Sequence, residues 1–467
     1  MTLKLYNTRS RSLEAFIPIA APKVTMYNCG PTVYNYVHVG NLRAYVFADV
    51  LRRVLTANGY EVAQVINITD VGHLVSDQDE GDDKIEIGAR REGKTAEEII
   101  ALYSDAFYGD LARLNILPAL SYPRATHYIN EQKTMIEALA KKGYTYLTSD
   151  GIYFDTSRFP EYANFAHLDV AGMKAGLRVD MGEKMNPTDF ALWKFSSDGN
   201  KKREQEWDSP LSIARKGFPG WHIECSAIVK ALLGDTIDIH TGGIDHIPVH
   251  HTNEIAQSFC ANNAPLARFW LHSAFMNVDG EKMSKSLGNT YRLGDLYERG
   301  IPPLAFRYWL LTAHYRTQVN FTWEALAGAQ TAYNRLTNFM VENQAEGGVV
   351  LPRYVEEFHA AIDDDLNTAS AVALIWTLLK DTAVSPREKR ATILEFDKVL
   401  GLGLLYVVER KHVPVPDEVQ SLIEARRLAR EAKDWTEADR LRDMLAEQGF
   451  DIKDTPTGQE ITPLGLH

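Results

Sequence analysis

Lys282-Met-Ser-Lys285-Ser286 places two lysines with hydroxyls between them just after Asp279-Gly280, a loop-forming pair. Such a cationic clamp can neutralise charge developing on a pyrophosphate leaving group; the plain alternative is a solvated lysine loop. His38-Val-Gly40-Asn41 stands where a short apolar run hands over to a helix, the phosphate-binding position of parallel α/β folds. A histidine there can donate to phosphate oxygens, Asn41 can do the same, and Gly40 admits a ligand close to the backbone. Cys29 ends the same apolar run, Cys225 lies in Gly220-Trp-His-Ile-Glu-Cys-Ser, and His250 and Glu254 are one helical turn apart. Two thiolates, an imidazole and a carboxylate suit zinc. On spacing alone His251 is an equally good ligand, and cysteines so far apart are as readily ordinary core residues. No paired-cysteine knuckle is present, which argues against an independent zinc finger.

Two further patterns lead elsewhere. Gly88-Ala-Arg-Arg-Glu-Gly93-Lys94-Thr95 fits the P-loop letter for letter, but Asp82 to Ile87 is too charged for the buried strand that must precede it. Thr95 followed by Glu98 reads instead as a capping box that opens a helix. Asp77 to Asp83 resembles a calcium loop, yet its glycine comes one place early and Gly88 stands where the last acidic ligand belongs.

The elements that must position these residues read as strand, loop, helix, strand: Val24 to Asn28, then Leu42, Val46, Val50, Leu51 and Leu55 at helical spacing, then Glu61 to Ile68. A second unit follows far downstream, with helix Ile223 to Leu233, strand Thr236 to His240, helix Asn253 to Phe259 and strand Trp270 to Met276. Hairpin signals at Lys141 to Asp155 and a polar stretch at Ser196 to Asp208 lie between the halves, so the middle reads as an insertion. Helical patterns then run over Ala325 to Asn343, Tyr354 to Lys380 and Pro386 to Leu400 with no strand signal between them. Val413-Pro-Val-Pro reads as a linker, and Asp417 to Lys453 as two more helices before a strand-like end.

With 467 residues the chain is too long for one ordinary domain. Its 45% apolar and 24% charged residues exclude disorder. A net charge of −12 excludes a globally basic nucleic-acid coat, though not a local RNA-gripping patch. Three cysteines cannot build a disulfide framework and fit a reducing compartment. Met1 to Phe16 lacks an apolar core of signal-peptide length, and no run approaches membrane-spanning length. The expectation is a soluble, cytoplasmic protein.

Taken together, HVGN followed by a complete KMSKS in a split parallel-sheet fold resembles the class I aminoacyl-tRNA synthetases. Cys29-Gly-Pro-Thr-Val-Tyr, Gly220-Trp-His-Ile-Glu-Cys225-Ser and His250-His-Thr-Asn-Glu254-Ile-Ala-Gln look like the cysteinyl-tRNA synthetases in particular, over essentially the whole chain. The resemblance departs in Asn41 where the signature has histidine, in Thr252 where glutamate is common, and in a longer Val71 to Asp83 stretch.

The resemblance implies an α/β fold: a Rossmann-type catalytic domain (1–115 and 221–320) split by an insertion (116–220), then a helical bundle (321–405) and a small α+β anticodon-binding module (406–467). It implies one zinc held by Cys29, Cys225, His250 and Glu254, and MgATP held at Gly40, Gly242, Gly243 and Lys285. Phosphate chemistry would fall to His38, Asn41, Lys282 and Lys285. Thr69, Trp221 and Asp245 would surround L-cysteine, with Asp245 on its ammonium. Arg430, Trp435, Asp439 and Asp454 would read the anticodon of tRNA-Cys, and Arg426, Arg427 and Lys433 would join Arg430 along a helix that meets phosphates. A monomer is expected, as is common in the family. An enzyme that transfers cysteine to an amino sugar is opposed by the long Phe321 to His467 end. A catalytically dead paralogue is opposed by the intact lysine loop and ligand set.

Overall fold

The computed structural model describes residues 2–72, 83–168, 183–196, 203–284, 287–345, 347–406, 416–432, 434–448, 450–455 and 458–463. The acidic stretch 77–82, Lys285, Ser286, Lys433 and residues 413–415 of the Val413-Pro-Val-Pro linker lie outside them.

Strands β1 (Lys4–Asn7) and β2 (Ser12–Ala15) form an antiparallel hairpin. Strand β3 (Lys23–Asn28), helix α1 (Val39–Ala57) and strand β4 (Glu61–Ile66) are the first parallel unit. Helices α2 (Lys84–Glu92), α3 (Ala96–Arg113) and α4 (Ile129–Lys141) follow. Gly88 lies inside α2, Gly93 closes it in the left-handed conformation at φ 63°, and Thr95 caps α3 in a capping box with Glu98. The P-loop pattern therefore builds no phosphate loop.

The insertion is a five-stranded antiparallel sheet, in spatial order β5 (Thr145–Leu147), β6 (Gly151–Phe154), β7 (Phe190–Phe195), β9 (Lys216–Pro219) and β8 (Trp207–Asp208). Only its first hairpin was signalled in the sequence, because the later strands are short and pair across long connections. Helix α5 (Trp221–Leu233), strand β10 (Ile237–Gly243), helix α6 (Thr252–Asn262) and strand β11 (Ala267–Ser273) then return to the first sheet. That sheet is parallel with order β11-β10-β3-β4. The chain leaves β3 toward β4 on one side and comes back beside it as β10. The crevice beyond the carboxyl ends of β3 and β10 is thus a topological switch point, where ligands of such sheets bind.

The expected strand Trp270 to Met276 is two strands. β11 stops at Ser273, and β12 (Met276–Val278) belongs to a small sheet with β13 (Glu281–Lys282) and β14 (Val319–Phe321). The carbonyls of Ala274 and Phe275, at the break, accept hydrogen bonds from Arg43 at 2.9 and 2.7 Å instead of continuing the ladder. Helices α7 (Leu293–Glu298) and α8 (Pro303–Leu311) lie between β13 and β14.

The bundle comprises α9 (Trp323–Glu342), α10 (Pro352–Ile362), α11 (Thr368–Lys380) and α12 (Pro386–Leu400). The single helix expected over Tyr354 to Lys380 is broken at Asp363 to Asn367, where Asp365 and Leu366 both have φ of 56°. The break is held by the Asp365 carboxylate, which accepts from the Tyr6 amide, the Tyr315 hydroxyl and Arg316. Helices α13 (Asp417–Glu431) and α14 (Trp435–Glu447) and the hairpin β15 (Phe450–Thr455) and β16 (Gly458–Pro463) end the described chain, with Val419, Leu445, Phe450 and Ile452 as a core of their own.

One apolar core runs from the sheet through α1 into the bundle. A buried charge network crosses the same seam. Asp49 on α1 accepts from Arg307 at 2.6 Å, from Arg53 at 2.8 Å and from the Leu117 amide at 2.9 Å. Arg307 also donates to the carbonyls of Leu114 and Leu400, and Arg53 to that of Lys398. Burial pushes the Asp49 carboxyl up, but Arg307 and Arg53 outweigh it and hold it below the usual range. Arg307→Met leaves a buried carboxylate with one guanidinium fewer, so stability should fall by about 3 kcal/mol. A urea midpoint equal to the parent's would show that this pair does not bind the bundle to α1.

Candidate active site

Each site side chain sits where an element ends. His38 is the N-cap of α1: its Nδ1 accepts from the Asn41 amide, while Asn41 Oδ1 accepts from the His38 amide, both at 3.2 Å. The HVGN string is therefore a reciprocal cap as well as a ligand turn. With Nδ1 used as an acceptor, the neutral ring carries its proton on Nε2. The first turn of α1 holds no acidic residue, which leaves its positive end suited to an anion.

The lysine hairpin meets this turn. A Cβ added to Gly40 would lie 3.4 Å from Met283 Sδ and 3.1 Å from the His38 ring, so Met283 of the hairpin stands close to this turn. Past the loop, Tyr291 accepts from the Val39 amide at 2.8 Å, and Arg292 lies over the Tyr36 ring. Lys282 ends β13 and is exposed. Lys285 is outside the described residues.

Beside the switch point lies a cluster of thiols, imidazoles and one carboxylate. Cys29 follows β3, and the next residue must be glycine: a Cβ on Gly30 would lie 1.5 Å from the Asn67 carbonyl oxygen. Cys225 comes from the first turns of α5. His250 and His251 end a π-helical turn, Ile247–His251, that runs into α6, where Glu254 stands. His250 Nε2 is 3.4 Å from Glu254 Oε2, so the one-turn spacing does bring that pair together. Trp221 stacks flat on His250, with ring centres 4.7 Å apart.

The ligand atoms of Cys29, Cys225 and His250 lie within 4.8 Å of one another, and so do those of Cys29, His240, His251 and Glu254. Cys29 belongs to both sets. Among the described residues, neither set holds all four expected ligands: Cys225 and His250 fall in one and Glu254 in the other, so His250 and His251 both stay in reach, as spacing left them. His240, 3.2 Å from Glu254, gave no signal in the sequence because it points inward from a strand. His272 was likewise unsignalled; it contacts His251 at 2.7 Å and Thr8 at 2.8 Å.

The electrostatics suit a soft divalent cation. Burial, then the neighbouring Cys225, pushes the Cys29 thiol well up. A hydrogen bond with Cys29 pulls Cys225 down, yet burial and Glu254 leave it raised. Burial holds His250 and His251 well below their usual range, so both rings offer lone pairs at neutral pH. Glu254 is pushed up by burial but held low by His240 and His250, and among the described residues its buried Oε2 has ring nitrogens near it but no well-formed hydrogen bond. Two desolvated thiols, neutral imidazoles and an unsatisfied carboxylate oxygen fit zinc better than a harder ion.

Other expected residues fall around this cluster. The Thr69 hydroxyl accepts from Asn67 Nδ2 at 2.9 Å. Asp245 follows β10, is mostly exposed and lies 3.9 Å from His246. A Cβ on Gly242 would meet His246 and His251, and one on Gly243 would meet Asp245. In this structure these glycines make room for those side chains. In the terminal module Arg430 lies 5.4 Å from the Trp435 ring centre, Trp435 is 56% exposed, and Asp439 is exposed. Asp454 is on β15. The row of phosphate-binding arginines is corrected: Arg426 is buried, because it faces the module's own core, and Arg427 pairs with Glu424 and Glu431.

A parallel sheet split by an insertion, with a capped helix turn under a lysine hairpin, defines a class I aminoacyl-tRNA synthetase. Residues 15–331 match the family model described as tRNA synthetases class I (C) catalytic domain, and residues 412–461 match the cysteinyl-tRNA ligase anticodon binding domain. The chain is 50% identical to Cysteine--tRNA ligase 1 of Burkholderia lata over 100% of this chain and 98% of that protein. It is 42% identical to Cysteine--tRNA ligase of Chlamydia muridarum over 99% of each. The chain belongs to the cysteine–tRNA ligase family. Among solved structures, Mycobacterium tuberculosis methionyl-tRNA synthetase with methionyl-adenylate shares the fold at a TM-score of 0.57, with 16% identity over 83% of this chain and 91% of that one. The Agrobacterium radiobacter LeuRS–tRNA–LeuAMS complex does so at 0.57, with 12% identity over 84% and 85%.

Because burial keeps both thiols protonated through neutral pH, capture of zinc by them must expel protons. Zinc affinity should rise with pH, by up to about one decade per unit for each thiol that loses its proton. A flat affinity between pH 6 and 8 in a chelator competition would exclude both cysteines as ligands.

Proposed function

We propose that this chain activates L-cysteine with MgATP to cysteinyl-adenylate and pyrophosphate, then transfers the cysteinyl group to the 3′ end of tRNA-Cys. The nearness of Met283 to the Gly40 turn carries this reading, since it puts the Lys282 hairpin beside the capped end of α1. In the first step the cysteine carboxylate attacks the α-phosphorus and the bond to pyrophosphate breaks. His38, through Nε2–H, and Asn41, through its side-chain Nδ2, donate to phosphate oxygens at the positive end of α1. Lys282 and Lys285 take up charge on the departing pyrophosphate, and Gly40, Gly242 and Gly243 border the nucleotide. In the second step the terminal ribose hydroxyl attacks the carbonyl and AMP leaves.

Serine and cysteine differ by one atom, which a pocket of shape alone separates by only about 1–3 kcal/mol. Cys29, Cys225, His250 and Glu254 are the residues we assign to zinc. When bound, the metal selects a thiolate over a hydroxyl. Trp221 walls the side-chain pocket, Thr69 borders it and Asp245 holds the ammonium. At the other end, Arg430, Trp435, Asp439 and Asp454 read the anticodon: the exposed indole stacks on a base and the carboxylates accept from base edges. We keep the five-part division at residues 115, 220, 320 and 405, and a cytoplasmic monomer. No helix among the described residues is long and apolar enough to cross a membrane.

The decisive assay is transfer of labelled cysteine to deacylated tRNA, with MgATP and zinc, and serine as the control. Cysteine-specific charging is expected; silence in both charging and cysteine-dependent pyrophosphate exchange would sink the reading. Cys29→Ser should lower bound zinc and cysteine activation together. Trp435→Ala should cut charging roughly tenfold, about the loss of one base stack, while pyrophosphate exchange stays at the parent rate. Equal losses in the two assays would take Trp435 out of the anticodon site.

A further inference from the structure

Arg43 lies one residue beyond Asn41 and Leu42 on α1, is 5% exposed, and has no carboxylate partner among the described residues. All its contacts are backbone carbonyls. One terminal nitrogen donates to Ala274 and Phe275, at 2.9 and 2.7 Å; the other donates to Tyr315 at 3.2 Å, Thr317 at 2.5 Å and, more weakly, His314 at 3.4 Å. Burial without a counter-charge lowers its pKa to about 10. Converging carbonyls stabilise a guanidinium in place of solvent, and its rigid planar fork fixes their spacing.

Those carbonyls belong to two particular segments. Ala274 and Phe275 lead directly into β12, whose hairpin with β13 presents Lys282. His314 to Thr317 lead into β14, which pairs in parallel with β12 from Met276↔Val319 to Val278↔Phe321. Both roots of the small sheet are therefore gathered by one side chain from the first turns of the helix whose N-terminus is the HVGN turn. Phe47, one turn further along α1, stacks on Tyr315 at 4.4 Å and 11°. Tyr315 and Arg316 in turn donate to Asp365 at the break in the bundle, each at 2.7 Å.

We propose that Arg43 is a positioning residue for adenylate formation, which sets the distance between the HVGN turn and the Lys282 hairpin by clamping both roots of the hairpin's sheet to α1. It touches neither nucleotide nor amino acid and acts through Lys282. The inference rests on the reading of Lys282 as a phosphate-charge group. None of its partners belongs to the Cys–His–Glu cluster, so its effect falls on the phosphate step and not on cysteine capture.

Arg43→Lys tests this, because an ammonium offers three donors without the fixed fork. Pyrophosphate exchange should show kcat lowered roughly 10- to 100-fold, the scale of an ångström-size misplacement, with the KM for cysteine unchanged. Combined with Lys282→Ala, the same substitution should cost about threefold or less, because the group being positioned is gone. Phe47→Leu, which keeps Arg43 but loosens Tyr315, should show a smaller loss with the same dependence on Lys282, and serves if the lysine variant melts early. Equal proportional losses with and without Lys282, or a raised KM for cysteine at unchanged kcat, would overturn the inference alone. A neutral Lys282→Ala would overturn the phosphate-charge reading, and this inference with it.

Discussion

Asp49 is a carboxylate removed from water in the middle of α1, and the donors that replace its solvent come from separate parts of the chain. An isolated buried charge would cost several kcal/mol, so Arg307, Arg53 and the Leu117 amide must all be in place. Their remaining donors reach the carbonyls at the end of α12, which ties the bundle to the helix that carries the HVGN turn. Arg43, two turns earlier, does the same for the lysine hairpin. Helix α1 is thus bolted along its length by guanidiniums whose partners are mostly backbone carbonyls. Apolar packing alone, being non-directional, would leave its axial position less defined.

The two chemistries we propose for the site require opposite surroundings, and the fold offers both. Thiol selection needs a desolvated place, where burial raises Cys29 and lowers His250 and a cation gains most from the donors. Phosphate transfer needs charge that can reach an anion arriving from solvent, and Lys282 is exposed on a two-residue strand.

Much was legible in the sequence for a physical reason. The strand–helix–strand units follow from apolar periodicity, whereas the cap that His38 makes for α1 came only from the structure. The one-turn spacing of His250 and Glu254 survives even though His250 sits in a π-helical turn, because the wider turn still leaves both side chains on the inner face. Local motifs carry their own geometry, so they can be read without the fold. Errors fell where distant groups override local pattern. The strand after Trp270 breaks because Arg43 takes its carbonyls, and the helix after Tyr354 breaks because Asp365 turns to meet Tyr315 and Arg316. Arg426 was read as solvent-facing by charge and is buried by the module's own packing.

By itself, then, the sequence determined the α/β class and the run of helices after Phe321, since each depends on neighbours within a turn or two. Only the tertiary structure decided that Cys29 and Cys225 come together, that His240 and His251 group with Cys29, that His272 meets His251, and that Met283 stands near Gly40. The cysteines and the Gly40–Met283 approach join segments far apart in the chain, Cys29 after β3 with Cys225 on α5, and Gly40 on α1 with Met283 after β13. Their cause is strand order and the burial of a few guanidiniums, neither of which has a local periodicity to betray it.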